Sequence, residues 1–125
     1  MKVAVSATGS TLDAAVDSRF GRCSAFVLVE TDDMSYEVVE NAAVGRAGGA
    51  GIRAGELLAH KGVRVLLTGN CGPNAYETLK AAGIDVFVGC HGTVAEAIRS
   101  YKLGQLQPAS SPNVASHAGM GGGRR

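Results

Sequence analysis

The residues of this chain that could do chemistry are three cysteines, a histidine beside one of them and a group of arginines. Cys23, Cys71 and Cys90 each stand within two residues of a glycine, His91 follows Cys90, and Arg19, Arg22, Arg46 and Arg53 lie in or beside glycine-bearing stretches. Soft thiolates suit Cu(I), Fe–S and related thiophilic centres, and thiolates near arginines or helix N-termini are those whose pKa falls. Cys23, Cys71, Cys90 and His91 are therefore candidate metal ligands. The alternative is that each cysteine is a small buried hydrophobe and that His91 only caps a helix. No Cys-x-x-Cys pair occurs, so spacing alone does not define a tetrahedral site.

The elements that must position these residues follow from the hydrophobic pattern. Lys2 to Ala7 alternates as a strand, Ser24 to Thr31 and Tyr36 to Asn41 read as a hairpin turned by Asp32-Asp33, and Val63 to Thr68 and Ile84 to Val88 are short aliphatic runs of buried-strand type. Between them the period changes. Ile52, Gly55, Leu58 and Ala59 share one helical face closed by Gly62, and Pro73 opens a second helix with Ala75, Leu79 and Ala82 inward and Gly83 as its stop. Thr93-Val94-Ala95-Glu96 has the form of a capping box opening a third helix, which ends at Gly104. The order is β-β-β-α-β-α-β-α, and right-handed crossovers make it a mixed five-stranded sheet of ribonuclease-H-like topology. The expected organisation is one domain over residues 1–106 and a disordered Gly/Ser/Pro tail over 107–125 that includes His117.

That topology collects the glycine turns, the thiols and three helix N-termini at one end of the sheet, where open α/β sheets bind ligands. Helix N-termini carry free N–H groups and partial positive charge, and glycines let the backbone approach closely, so the predicted ligand is an anion. A negatively charged metal-sulfur cluster fits both the soft thiols and the positive turns.

Composition excludes several other classes. At 125 residues a second domain is not expected, and 12 basic against 11 acidic residues give a formal charge of +1, without the excess that binding to long nucleic acid requires. No apolar run is long enough to span a bilayer, and the first residues enter a strand pattern without a secretory h-region, so the expected location is cytoplasmic. An odd number of cysteines in such a chain argues for free or ligating thiols. A metal-dependent nuclease would need convergent carboxylates, and Val3-Ala4-Val5-Ser6 carries none. Gly49-x-Gly51-x-x-x-Gly55 approximates a dinucleotide fingerprint, but Thr68-Gly69-Asn70 lacks the ribose-binding acid at the end of the next strand.

Five stretches in order, Asp17-x-Arg19-Phe20-Gly21, Gly49-Ala50-Gly51-Ile52, Gly69-x-x-Gly72-Pro73-Asn74-Ala75, Ala82-Gly83-Ile84 and Gly92-Thr93-Val94-x-Glu96-Ala97, resemble the dinitrogenase iron-molybdenum cofactor biosynthesis family over Met1 to about Leu106. The resemblance implies a ribonuclease-H-like fold and a non-enzymatic role in binding or carrying a cluster. That cluster would be a molybdenum-copper sulfide held without covalent ligation, or an iron-molybdenum or Fe–S precursor. Cys71 and Cys90 stand outside the family pattern, which implies backbone N–H groups and arginines as a sufficient means of binding. The cluster-binding candidates are Arg19, Phe20, Gly21, Arg22, Gly49, Ala50, Gly51, Arg53, Asn70, Gly72, Asn74, Gly92 and Thr93. The expected partners are the inorganic cluster and a cofactor-accepting protein or ATPase; the rival function is a cofactor-free interaction module serving a partner ATPase.

Overall fold

The computed structural model describes residues 1–41 and 49–113. Within them β1 (Lys2–Ala7), β2 (Ala25–Glu30) and β3 (Tyr36–Glu40) precede α1 (Ala50–His60), β4 (Val65–Leu67), α2 (Pro73–Ala81), β5 (Asp85–Phe87) and α3 (Val94–Lys102). The element order is the expected one. The sheet runs β3-β2-β1-β4-β5, with β1 antiparallel to β2 and parallel to β4, and β4 parallel to β5. The C-terminal ends of β1, β4 and β5 thus share one edge with the start of β2.

Alternation on the strands divides the interior into two apolar layers. Ala4, Phe26, Leu28, Leu66 and Val86 face α1 and α2, meeting Ala54, Leu58, Ala75 and Leu79. Val3, Val5, Val27, Val29, Val65 and Leu67 face the other way, meeting Val94, Ala97 and Ile98 of α3. Each fully buried Leu or Ile contributes roughly 2 kcal/mol of transfer free energy, and these layers hold the strand ends that carry the loops. Ala59 and Ala82, expected on inner faces, are exposed, since each lies near its helix end where the face has rotated off the sheet.

The segment expected to be a free tail is partly built into the fold. Pro108 bridges Phe87, the Ala109 N–H donates to the Val86 carbonyl at 2.7 Å, and the Tyr76 hydroxyl donates to the Ala109 carbonyl at 3.1 Å. The free edge of β5 supplies backbone partners that a polar sequence can take up without an apolar anchor. The remainder of the expected tail, with His117, lies outside the described residues.

One contact sets how closely the loops approach the sheet. A Cβ on Gly69 would come within 2.6 Å of Ser18 Cα and 3.0 Å of the Ser18 carbonyl, both backbone atoms that cannot step aside. Gly69→Ala is expected to destabilise the fold by about 2 kcal/mol or more, read as a lower urea midpoint with an unchanged m-value; an unchanged midpoint would show that the two loops part freely.

Candidate functional site

At the sheet edge three segments converge on a cavity of about 430 Å³: the turn Arg19–Arg22 ahead of β2, the N-terminus of α1 and the N-terminus of α2. Close packing of small residues brings them together. A Cβ on Gly21 would lie 3.0 Å from the Gly51 nitrogen, and one on Gly51 would lie 2.9 Å from Ala75 Cβ. Backbone is thereby stacked on backbone, turn against α1 and α1 against α2.

Both helix N-termini at the cavity are uncapped. Gly49, at the N-cap of α1, has φ 73°, a left-handed conformation that glycine takes without the Cβ penalty, and offers no side chain to the first turn. Gly72 caps α2 equally bare, Pro73 follows as N1, and neither first turn holds an acidic residue. The first-turn N–H groups of Ala50, Gly51, Ile52, Asn74 and Ala75 have no intrahelical acceptor. α3 is built the other way. The Glu96 N–H donates to Thr93 Oγ1 at 3.1 Å, and the Thr93 N–H donates to Glu96 Oε1 at 2.8 Å, completing the expected capping box.

The arginines differ in their partners. Asp17 is buried, and its carboxylate accepts from the Arg19 N–H at 2.9 Å, from Nε at 3.3 Å and from a terminal guanidinium nitrogen at 3.4 Å, an Asx turn that aims Arg19 at the cavity. The hydrogen bond and charge of Asp17 raise the Arg19 pKa further above its ordinary value. Arg22 also lines the cavity, and its exposed guanidinium has no partner among the described residues. No carboxylate lines the cavity among the described residues.

Ten of the thirteen residues expected to hold a cluster line this cavity: Arg19, Phe20, Gly21, Arg22, Gly49, Ala50, Gly51, Asn70, Gly72 and Asn74. Arg53 lies just beyond, exposed at the end of the first turn of α1. Gly92 and Thr93 belong to the capped end of α3 on the other side of the sheet, where the Gly92 carbonyl accepts from Val16. Arg46 lies outside the described residues. The sequence reading missed Ile52, Pro73 and Ala75 as lining and Asp17 as the anchor of Arg19; the Asp-x-Arg spacing of an Asx turn was the available signal for the last.

The thiols are not brought together. Cys23 and Cys71 are buried in the layer beneath α1 and α2, whereas Cys90 is buried in the layer beneath α3, at the same end of the sheet but on its opposite face. Cys23 Sγ donates to the Phe20 carbonyl at 3.2 Å, and Cys90 Sγ to the Phe87 carbonyl at 3.6 Å. His91 is exposed, and no group of three His, Cys, Asp or Glu side chains able to hold a metal occurs among the described residues. The proposed Cys23, Cys71, Cys90 and His91 set thus does not form a common coordination shell here, because successive loops at one sheet edge drop their side chains into different layers. Burial raises Cys23 to about 12, with the Asp17 charge adding to it, and raises Cys71 and Cys90 to about 11.

Fold and cavity together define a small α/β protein with a cleft at the sheet edge lined by glycines, arginines and two helix N-termini. The chain belongs to the dinitrogenase iron-molybdenum cofactor family, whose pattern it matches over residues 1–104. It is similar to the apo form of the orange protein from Desulfovibrio gigas, with 44% identity, a TM-score of 0.88 and coverage of 90% of this chain and 95% of that one. A NifB-like protein from Thermotoga is 40% identical with a TM-score of 0.76, covering 86% of this chain and 91% of that one. An uncharacterized protein of Methanocaldococcus jannaschii is 34% identical over 91 residues, 70% of this chain and 77% of the relative.

The buried thiols generate a pH dependence. Each is raised from its ordinary value of 9.0, so the protonated form is favoured in the folded state. Their contribution to stability is whole below pH 9.0 and is lost as pH rises toward about 11 to about 12, because the unfolded chain ionises first. Urea midpoints should fall across that window. A thiol reagent near pH 8 should modify the cysteines only in denaturant, and rapid modification of the native protein would contradict this burial.

Proposed function

We propose that the protein binds and carries an anionic metal-sulfur cluster in the cavity between the Arg19–Arg22 turn and the N-termini of α1 and α2. The observation that carries this reading is the convergence on one cleft of two helix N-termini without side-chain caps and of Arg22, which among the described residues has no side-chain partner and meets no carboxylate there. Sulfide at the cluster surface accepts hydrogen bonds from the first-turn N–H groups, while Arg19 and Arg22 neutralise charge. Phe20, Ile52 and Pro73 give apolar contact to polarizable sulfur. Membership of the iron-molybdenum cofactor family supports a molybdenum-containing or metal-sulfur cargo; of these a molybdenum-copper sulfide is the choice proposed first, with iron-molybdenum or Fe–S precursors as the alternatives.

Carrying rather than catalysis is supported by the chemistry of the wall. Among the described residues the only ionisable side chains lining the cleft are arginines, which stay protonated and cannot serve as a general base. Free cysteines support a reducing, cytoplasmic setting, and the sheet order β3-β2-β1-β4-β5 supports the ribonuclease-H-like reading. A cargo held without covalent bonds would pass to a cofactor-accepting protein by dissociation.

Titration of the apo protein with tetrathiomolybdate should produce a charge-transfer band at saturable stoichiometry. Arg22→Ala is expected to weaken binding about tenfold or more, the worth of one charge-assisted hydrogen bond, and added salt should weaken it further. Cys71→Ala and Cys90→Ala should keep the band. A flat titration would return the protein to the class of cofactor-free interaction modules, and loss of the band in the cysteine variants alone would make the thiols the ligands.

A further inference from the structure

The chain after α3 reaches the turn that carries Asn70 and Gly72 into the cleft wall. After Ala109 docks on β5, Asn113 sits against the Gly69–Gly72 turn between β4 and α2 and makes four hydrogen bonds there. Its Oδ1 accepts from the Cys71 N–H at 2.7 Å, its Nδ2 donates to Asn70 Oδ1 at 3.0 Å and to the Gly69 carbonyl at 3.4 Å, and its own N–H donates to the Cys71 carbonyl at 3.1 Å. Asn70 passes the connection on, its Nδ2 donating to the Ser18 carbonyl at 3.1 Å. The polarity of this chain is consistent throughout, since each amide oxygen accepts and each amide nitrogen donates.

Asn70 lines the cleft, the turn delivers the α2 N-terminus, and Ser18 precedes Arg19. From this linkage we infer that Asn113 is a positioning residue for the cleft, holding the α2 N-terminus and the arginine turn at the separation that receives one anion. The inference rests on the cluster-binding reading of that cleft. A turn of Gly69, Asn70, Cys71 and Gly72 has little side-chain packing to define it: Asn70 is exposed and only Cys71 reaches the core. The segment 107–113 supplies that definition from outside. Beside its bonds to β5, the segment is tied to α2 itself, where the Tyr76 hydroxyl donates to the Ala109 carbonyl.

Two substitutions in the full chain separate this role from a general contribution to stability. Asn113→Ala removes all the side-chain bonds. Asn113→Asp keeps an acceptor for the Cys71 N–H but sets a carboxylate against the oxygens of Asn70 and Gly69. Both variants are expected to keep a melting temperature within a few degrees of the parent, to bind tetrathiomolybdate about tenfold more weakly, and to lose part of the circular dichroism that the achiral ion acquires in the asymmetric cleft. Hydrogen exchange at the Cys71 amide should accelerate in Asn113→Ala even without the ion. Tyr76→Phe, which loosens the other anchor, should weaken binding in the same direction. Variants that bind with parental affinity and parental induced dichroism would overturn the inference, as would a Cys71 amide equally protected in Asn113→Ala. If the parent protein itself fails to bind the ion, the cluster reading fails instead, and the exchange of the Cys71 amide still decides whether Asn113 holds the turn.

Discussion

Two helices point their N-termini at one cavity, and most of the site follows from how that is achieved. Each N-terminus carries roughly half a positive charge, so bringing two together without an anion is unfavourable. Close packing overcomes it: Gly51 lies against Ala75, Gly55 against Thr78, and Gly21 against the backbone of Gly51. The apolar layer under both helices supplies the driving force, with Ala54, Leu58, Ala75 and Leu79 buried together. What remains, among the described residues, is a pocket of first-turn N–H groups without side-chain caps. α3, equally well packed on the sheet, satisfies its own N-terminus with Thr93 and Glu96. The difference lies in the capping residues, glycine at two helices and threonine at the third.

The arginine turn is held by a chain of buried polar contacts. Ser6 and Thr68, at the ends of the adjacent strands β1 and β4, pair at 2.8 Å, and Ser6 Oγ donates to the Asp17 carbonyl at 2.7 Å. The Asp17 N–H returns to the Ser6 carbonyl at 2.8 Å. On the far side of the turn the Asn41 amide donates to the carbonyls of Gly21 and Cys23, both at 3.0 Å. Buried polar groups without partners are expensive, so a satisfied network of this kind resists distortion. It fixes the turn at both ends and leaves Arg22 extended toward solvent. Arg19, tied to Asp17, brings direction with a partly neutralised charge; Arg22 brings a charge that has no side-chain partner among the described residues.

The sequence conveyed the frame of this molecule better than its chemistry. Alternation at Val3 and Val5, the apolar run from Ser24 to Thr31, the proline at N1 of α2 and the capping box at Thr93 are local signals, and the elements they mark appeared in the expected order. Most of the cleft was legible for the same reason, since glycines at strand-to-helix turns mark backbone that something must approach. The layer of each thiol was not legible, because position along a loop predicts the end of the sheet but not the face a side chain enters. Cys71 and Cys90, three or four residues beyond neighbouring parallel strands, fall on opposite faces. Asn113 left no trace at all: it has no apolar periodicity, and its partners are backbone groups some forty residues away.

The separation of thiols from the cleft bears on how cargo would be handled. A cluster ligated by thiolates must break metal–sulfur bonds to leave, and its release then depends on a competing ligand or on protonation at sulfur. N–H donors and guanidinium groups form no such bonds, and each contact contributes only about 1–3 kcal/mol. Affinity then comes from the number of weak contacts and from their preorganisation rather than from any single bond. Preorganisation is what the glycine packing, the Asp17 and Asn41 networks and the Asn113 strap provide. Burial pushes the thiols up to about 11 and about 12, so they stay protonated inside the apolar layers at neutral pH. On the proposed reading, a rigid cradle of weak donors with the thiols buried behind it would bind an anionic cluster intact and let it leave intact.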